Sequence, residues 1–326
     1  MLNHAYYRGK YRLEMTKPKI AFGLVFAKID KKRQPHHQRK LMVVEYQRTV
    51  VVTGASTGIG QATALLLDQL GFSVFAGVRQ DIDAQTLKQK GSPRLIPIFL
   101  DVTDAESIAA AVDQVTNAVG GGGILGLVNN AGIAVPGPLE LLAIAEFQQQ
   151  MLVNVTGQLA VTQAFLGLLR QSRGRIVNMG SIAGRSPTPF LGAYNASKFA
   201  LVALNDVLRM ELRPWGISVS IIEPGAIATP IWEKSLSQSE IAQQDLPQSA
   251  QNLYGQAMNI VRKKMQILAS GGISADIVAQ TVVQALTAKQ PKTRYLVGQD
   301  AKIGALLKHI LPDKLHDKII LYSMGL

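Results

Sequence analysis

The sequence predicts an α/β protein in which helices cover a parallel sheet, and three observations carry that reading. Short β-branched or apolar runs alternate with helical stretches from Thr49 to Val297. A glycine-rich turn, Thr53-Gly54-Ala55-Ser56-Thr57-Gly58-Ile59-Gly60, joins the first of these runs to a helix. Apolar residues make up 47% of the chain, ample for a core, yet no uninterrupted apolar run approaches the ~18 residues that a bilayer span needs.

Taken in order, Thr49 to Thr53 is the first strand and Gln61 to Leu70 the first helix. A strand, a glycine turn and a helix form a cradle for a pyrophosphate. Glycines let the backbone come close, and the helix N-terminus offers free N–H groups and a partial positive charge. The spacing is G-x-x-x-G-x-G, and the competing reading is a tight turn without a ligand. Ser73 to Val78 is the second strand and ends at Arg79. An acidic residue near that point holds ribose hydroxyls, whereas a basic one suits a 2′-phosphate. Arg79 therefore favours NADP(H). Asp81 and Asp83 follow closely and keep NAD(H), or an unliganded loop arginine, as alternatives. Leu95 to Leu100 is the third strand and runs into Asp101-Val102, where Asp101 either meets an adenine ring or caps the helix from Ala105 to Val119. Gly120 to Gly123 stops that helix. Leu125 to Val128 is the fourth strand, and Asn129-Asn130-Ala131-Gly132 behind it are small enough for backbone to pass close to a cofactor.

The chemistry concentrates in the second half. Met151 to Leu169 reads as a long helix with Asn154 near its start. A buried amide needs a partner, either a water beside a lysine ammonium or a helix-packing hydrogen bond. The fifth strand, Arg175 to Met179, delivers Ser181, and the helix Ala193 to Met210 sets Tyr194 and Lys198 on one face. A free tyrosine titrates near about 10, and a nearby ammonium is expected to draw that value down. Ser181 can bond a substrate oxygen while Tyr194 moves the proton. Tyr6 and Lys10 repeat the spacing with nothing around them, so an exposed helix pair is the bland alternative. Ser218 to Glu223 is the sixth strand. Pro224-Gly225-Ala226-Ile227-Ala228-Thr229 follows, with Thr229 suited to a nicotinamide carboxamide. Residues 230–272 are predicted to be a helical lid, with helices near 238–244 and 248–268. Ser274 caps a helix to Leu286, and Arg294 to Val297 is the last strand. The tail, 301–326, is an amphipathic basic helix pair broken at Pro312. It packs on the body or on a second subunit, or touches a membrane surface.

Composition narrows the function. Cysteine is absent, and histidines stand only at 4, 36, 37, 309 and 316. Disulfides, thiolate chemistry and cysteine-bound zinc are thereby excluded, nothing between Gln38 and Lys308 can supply a histidine base or metal ligand, and no metal is expected. The net charge of +12 lies mostly in residues 1–41, with 11 Lys/Arg against 2 Asp/Glu, while the remainder has 23 against 20. No nucleic-acid partner is expected for so balanced a domain. The arm is a disordered extension, the product of a start upstream of Met42, or a targeting segment. Residues 42–326 form a single catalytic domain, expected in the cytoplasm.

The ordered set Thr53–Gly60, Asn129–Gly132, Asn154, Ser181, Tyr194–Lys198 and Pro224–Thr229 resembles the short-chain dehydrogenase/reductase family. The resemblance covers about 43 to 300. It implies a Rossmann-type, doubly wound, seven-stranded parallel sheet of order 3-2-1-4-5-6-7 and a homo-dimer or homo-tetramer. It implies Tyr194 as general acid/base, Lys198 as the group that lowers its pKa and holds the nicotinamide ribose, Ser181 as orienter of the carbonyl, and Asn154 as anchor of a relay water. Gly54, Gly58, Ile59 and Gly60 would line the pyrophosphate, Arg79 the 2′-phosphate, Asp101 and Val102 the adenine, Asn130 the ribose side and Thr229 the carboxamide. Ser56, Thr57, Ala131, Gly132, Pro224, Gly225 and Ile227 complete the cofactor set. The segment Gly71 to Arg79 and the long lid look like the hydroxysteroid and retinol dehydrogenase branch. That implies hydride transfer between NADP(H) and a carbonyl or alcohol carbon of a small lipophilic substrate. A 3-oxoacyl thioester reductase is the alternative, disfavoured by the long lid and tail. A non-catalytic NADP(H)-binding regulator is disfavoured by the intact Asn-Ser-Tyr-Lys set.

Overall fold

The computed structural model describes residues 48–232 and 247–326. Seven strands form one sheet in the order β3-β2-β1-β4-β5-β6-β7, every pairing parallel. They are β1 (Thr49–Val52), β2 (Ser73–Val78), β3 (Leu95–Phe99), β4 (Gly126–Asn129), β5 (Arg175–Met179), β6 (Ser218–Pro224) and β7 (Arg294–Val297). The expected topology is the observed one. β1 is fully buried, as its unbroken run of Val predicts for a strand covered on both faces. Its side chains alternate. Val50 and Val52 join the core against α1 (Gly58–Gln69) and α8 (Ala275–Thr287), and Val51 joins the core against α3 (Ala105–Val119) and α5 (Gln158–Ser172). Ala64, Leu67, Val278 and Val282 fill the first layer; Ile108, Val115, Val161 and Phe165 fill the second. Strand order reverses between β1 and β4, which opens a crevice at the carboxyl ends of both.

Several elements depart from the sequence reading. α2 (Asp81–Lys90) is a helix that the apolar pattern did not announce, because only Leu87 of it is buried. Asp81 and Asp83 sit in its first turn, where the helix dipole favours acids. Asp101 is not a cap. Asp104 caps α3, its carboxylate accepting from the Glu106 N–H. The helix expected from Met151 begins earlier, as α4 (Ile144–Met151), and continues through a π-helical turn (Leu152–Gly157) into α5. That continuous helix is long and apolar enough to cross a membrane, but half of its most apolar stretch is buried inside the protein.

α6 (Gly192–Glu211) carries Tyr194 and Lys198. α7 (Gln248–Ser270) matches the second expected lid helix; the first, near 238–244, lies outside the described residues, as do the basic arm and Met42. Ser274 caps α8 as expected, accepting from the Asp276 N–H. The tail folds as α9 (Gln299–Ile310) and α10 (Asp313–Met324), parted at Pro312. It packs on the body. Met324 joins Tyr194, Leu191, Val261 and Met265 in a third apolar cluster, and buried His316 sets Nε2 3.0 Å from Ser186 Oγ. Ile303, Leu306, Ile310 and Tyr322 stay exposed.

Candidate active site

The glycine turn after β1 is built by contacts that only glycine permits. Gly54 has φ +62°, and a Cβ there would lie 2.8 Å from Ala131 Cα. A Cβ on Gly60 would overlap the Gly54 carbonyl and the Asn130 amide. Thr53 and Asn130 lock the turn to the end of β4. Thr53 Oγ1 accepts from the N–H groups of Asn130 (2.9 Å) and Ala131 (3.0 Å), and Asn130 Nδ2 donates to the carbonyls of Thr53 and Gly54 (both 3.0 Å). Thr57, at the N-cap of α1, makes no side-chain cap bond, and the first turn holds no acidic residue. The helix N-terminus therefore opens towards the crevice with its donors available, which fits an anion such as a pyrophosphate.

A cleft of about 410 Å³ gathers every sequence-predicted site residue except Gly60 and Asn154, which lie behind its wall. At one end, Arg79 is largely exposed and its guanidinium stands 3.9 Å from Asp101 Oδ2. Asp101 Oδ1 accepts from Thr103 N (2.9 Å) and Thr103 Oγ1 (2.7 Å). Burial alone would raise the Asp101 carboxyl, but the Thr103 bonds and Arg79 outweigh it and hold the group below the ordinary range. At the other end Ser181, Tyr194 and Lys198 are buried together, 9%, 6% and 4% exposed. The Ser181 hydroxyl stands by the Tyr194 phenol, where it favours the phenolate, and accepts from Ala183 N at 3.1 Å. Lys198 Nζ donates to the Met179 carbonyl at 2.7 Å and sits 5.6 Å from the centre of the Tyr194 ring.

One electrostatic expectation fails in the free protein. Lys198 does not draw the Tyr194 pKa down. Burial pushes the phenol up to about 12, with the Ser181 bond pulling the other way, and burial pushes Lys198 down to about 8. Burial is the main cause of both shifts, and Lys198 Nζ is bonded to a backbone carbonyl. At neutral pH Tyr194 is thus a protonated acid.

A family model described as short chain dehydrogenase matches residues 48–240, more than half of the chain. The chain belongs to the short-chain dehydrogenase/reductase family. Retinol dehydrogenase 5 of Mus musculus is 37% identical over 283 residues, covering 84% of this chain and 88% of that protein. The 17-beta-hydroxysteroid dehydrogenase type 2 of Homo sapiens is 36% identical over 282 residues, covering 83% and 72%. A crystal structure of a short chain dehydrogenase from Burkholderia cenocepacia J2315, in complex with NADP, aligns with a TM-score of 0.64 and 25% identity over 83% of this chain and 96% of that one. The resemblance to the hydroxysteroid and retinol dehydrogenase branch is therefore real. As a short-chain dehydrogenase/reductase the protein is an oxidoreductase acting on CH–OH and C=O groups.

Within this dehydrogenase fold the structure adds residues that sequence reasoning missed. Gln150 and Gln158 flank the expected Asn154 at a spacing of four, and the three, each no more than 1% exposed, form a row of amides along the α4–α5 helix. Gln150 bonds Val135 N (2.8 Å) and Ile133 O (2.7 Å), Asn154 bonds Ile133 N and O (both 2.9 Å), and Gln158 Nε2 donates to Ala131 O (2.9 Å). The row straps residues 131–135 along the cleft. Both N–H groups of the Asn154 amide are committed, the second to Ser197 Oγ at 3.1 Å, which in turn donates to the Tyr194 carbonyl at 2.7 Å. Three amides at helical spacing in an apolar run were the available signal. Trp232 was read only as part of the lid. Its ring meets Tyr194 edge-on, centroids 5.8 Å apart and planes at 69°. Glu223, fully buried, holds Arg185, just beyond Ser181, at 2.8 Å.

Proposed function

We propose that the protein transfers a hydride between NADP(H) and the carbonyl or alcohol carbon of a small lipophilic substrate. The observation that carries the reading is one cleft with an uncapped helix N-terminus and Arg79 at one end and the buried Ser181–Tyr194–Lys198 group at the other. The bound nicotinamide supplies or accepts the hydride. Everything else falls to the chain. The donors around Ser56 to Gly60 hold the pyrophosphate. Arg79 takes the 2′-phosphate, which favours NADP(H) over NAD(H), while Asp101 keeps the guanidinium in place. In reduction, the hydroxyls of Ser181 and Tyr194 bond the substrate oxygen, and Tyr194 Oη gives up its proton as that oxygen gains charge. Lys198, when its Nζ turns from Met179, stabilises the phenolate left behind.

The substrate side supports a lipophilic ligand. Ala134, Ile231 and Trp232 line the cleft near Tyr194, and Val261 and Met265 of α7 pack in the same apolar cluster. Tyr254 of α7 donates to the Glu140 carboxylate and meets Phe190 edge-on, which ties this helix to the segments around residues 140 and 190. The relatives named for retinol and for a hydroxysteroid act on ligands of that character.

The test is absorbance at 340 nm with NADPH and with NADH against retinal, a ketosteroid, an aliphatic aldehyde and an acetoacetyl thioester. Oxidation of NADPH with retinal or the steroid is expected, and a preference for the thioester would move the assignment to 3-oxoacyl reduction. Tyr194→Phe is expected to lower kcat at least ~1,000-fold with NADPH binding kept. Retained turnover would remove Tyr194 from the mechanism.

A further inference from the structure

We infer that Asp300, in the tail, is a positioning residue for the loop that closes the cofactor end of the cleft. The inference rests on the reading that this cleft holds a nicotinamide dinucleotide. β6 ends at Pro224, and Gly225, Ile227 and Thr229 then line the cleft. That stretch is clamped from two sides. On one side Ile273 N donates to Ala226 O and Ala228 N donates to Ile273 O, both at 3.1 Å. On the other, the Ala226 N–H donates to Asp300 Oδ2 at 2.6 Å.

The fit around Asp300 is specific. A Cβ on Gly225 would overlap the carboxylate, and so would a Cβ on Gly298, whose φ of +101° is itself a glycine conformation. Two glycines distant in sequence thus make room for one side chain. Asp300 lies in the first turn of α9, where the helix dipole favours an acid. The tail helix thereby holds the backbone one residue from Gly225 and Ile227. Asp300 lines no part of the cleft, so it acts through the loop.

The experiment titrates NADPH into the full chain by calorimetry, with kcat and the NADPH KM measured alongside. Asp300→Ala is expected to weaken NADPH binding about tenfold, the low end for a charge-assisted bond open to solvent. The KM should rise with it while kcat at saturating NADPH stays within about twofold. Asp300→Asn keeps an acceptor oxygen for Ala226 and is expected to restore binding to within about threefold. Gly225→Ala evicts the carboxylate and should weaken binding at least as much. In Gly225→Ala/Asp300→Ala the methyl finds space, so the two losses should fall well short of adding. Wild-type binding by Asp300→Ala, or strictly additive losses, would overturn the inference. Should Asp300→Ala fail to fold, Asp300→Glu overshoots the Ala226 N–H and must show the same loss, or the inference falls. A wild-type chain that binds neither NADPH nor NADH would instead bring down the reading of the cleft, and the inference with it.

Discussion

At the scale of single residues, function here works against stability. Lys198 is buried and held at about 8 against an ordinary 10.5. Between those values the unfolded chain keeps a proton that the native chain has lost, so stability rises as pH climbs from about 8 to 10.5. Below pH 8 the full cost of the buried charge is present. Tyr194 has the opposite sign. Raised to about 12 from 10, it retains a proton the unfolded chain loses, so stability falls from pH 10 to 12. Lys198→Met should abolish the rise between pH 8 and 10.5 and, at pH 7, leave the free protein at least as stable, by about 1 kcal/mol, while activity is lost. Denaturant titrations at pH 7 and 9.5 check this. In the proposed mechanism carbonyl reduction needs the Tyr194 proton and the Lys198 charge together, so on that reading its rate should be level below pH 8 and decline above. Arg79 gives the second test at this scale. Arg79→Ala should weaken NADPH about 10- to 100-fold and leave NADH nearly unchanged. Equal losses for both would mean that Arg79 recognises no 2′-phosphate.

At the scale of elements, the amide row on the α4–α5 helix shows what a sequence reveals and conceals. Its members stand at 150, 154 and 158, one face of a helix. Their ranking comes only from their partners. Removing Asn154 leaves Ile133 N without its bond and Ser197 Oγ without its donor. Removing Gln150 frees Val135 N, whereas Gln158 surrenders one bond to Ala131 O. Replacement by Leu should therefore cost most at 154, about 3–5 kcal/mol, then about 2–3 at 150 and about 1 at 158. Urea unfolding gives the order, and equal costs would show that the row acts through packing alone. Strands and the glycine turn were legible because their patterns are local: Thr49 to Val52, then Gly54 to Gly60. α2 was not, because a helix with one buried residue has no apolar stripe to detect. Asp300 was not, because nothing near it in sequence points to Ala226. The Tyr194 titration is illegible in the sequence for a similar reason. Spacing set the pair on one face, but burial and the Met179 carbonyl are supplied by other parts of the fold.

At the scale of the whole molecule, the tail packs into the apolar cluster around Tyr194, which the proposed function makes the substrate side of the site. The apolar cluster beneath Tyr194 draws on three distant parts of the chain: Ala134 after β4, Val261 and Met265 of α7, and Met324 of α10. What fixes α10 there is polar. His316 is 2% exposed, among the largest fully buried side chains, and its Nε2 meets Ser186 Oγ at 3.0 Å on the loop beyond Ser181. His316→Ala opens a cavity and strips Ser186 of its partner, which should cost about 2–4 kcal/mol. Ser186→Ala loses only the bond, about 1 kcal/mol. If α10 is an active-site wall, the His316 variant should also raise the KM for a lipophilic carbonyl several-fold, leave NADPH affinity unchanged, and speed protease cleavage beyond Leu311. That split would separate the two tail helices, since α9 reaches the loop after β6 through Asp300 and α10 the apolar cluster around Tyr194 through Met324. A His316 variant that lost NADPH affinity and substrate affinity alike would mean the tail docks as one unit, with no division of labour between its helices.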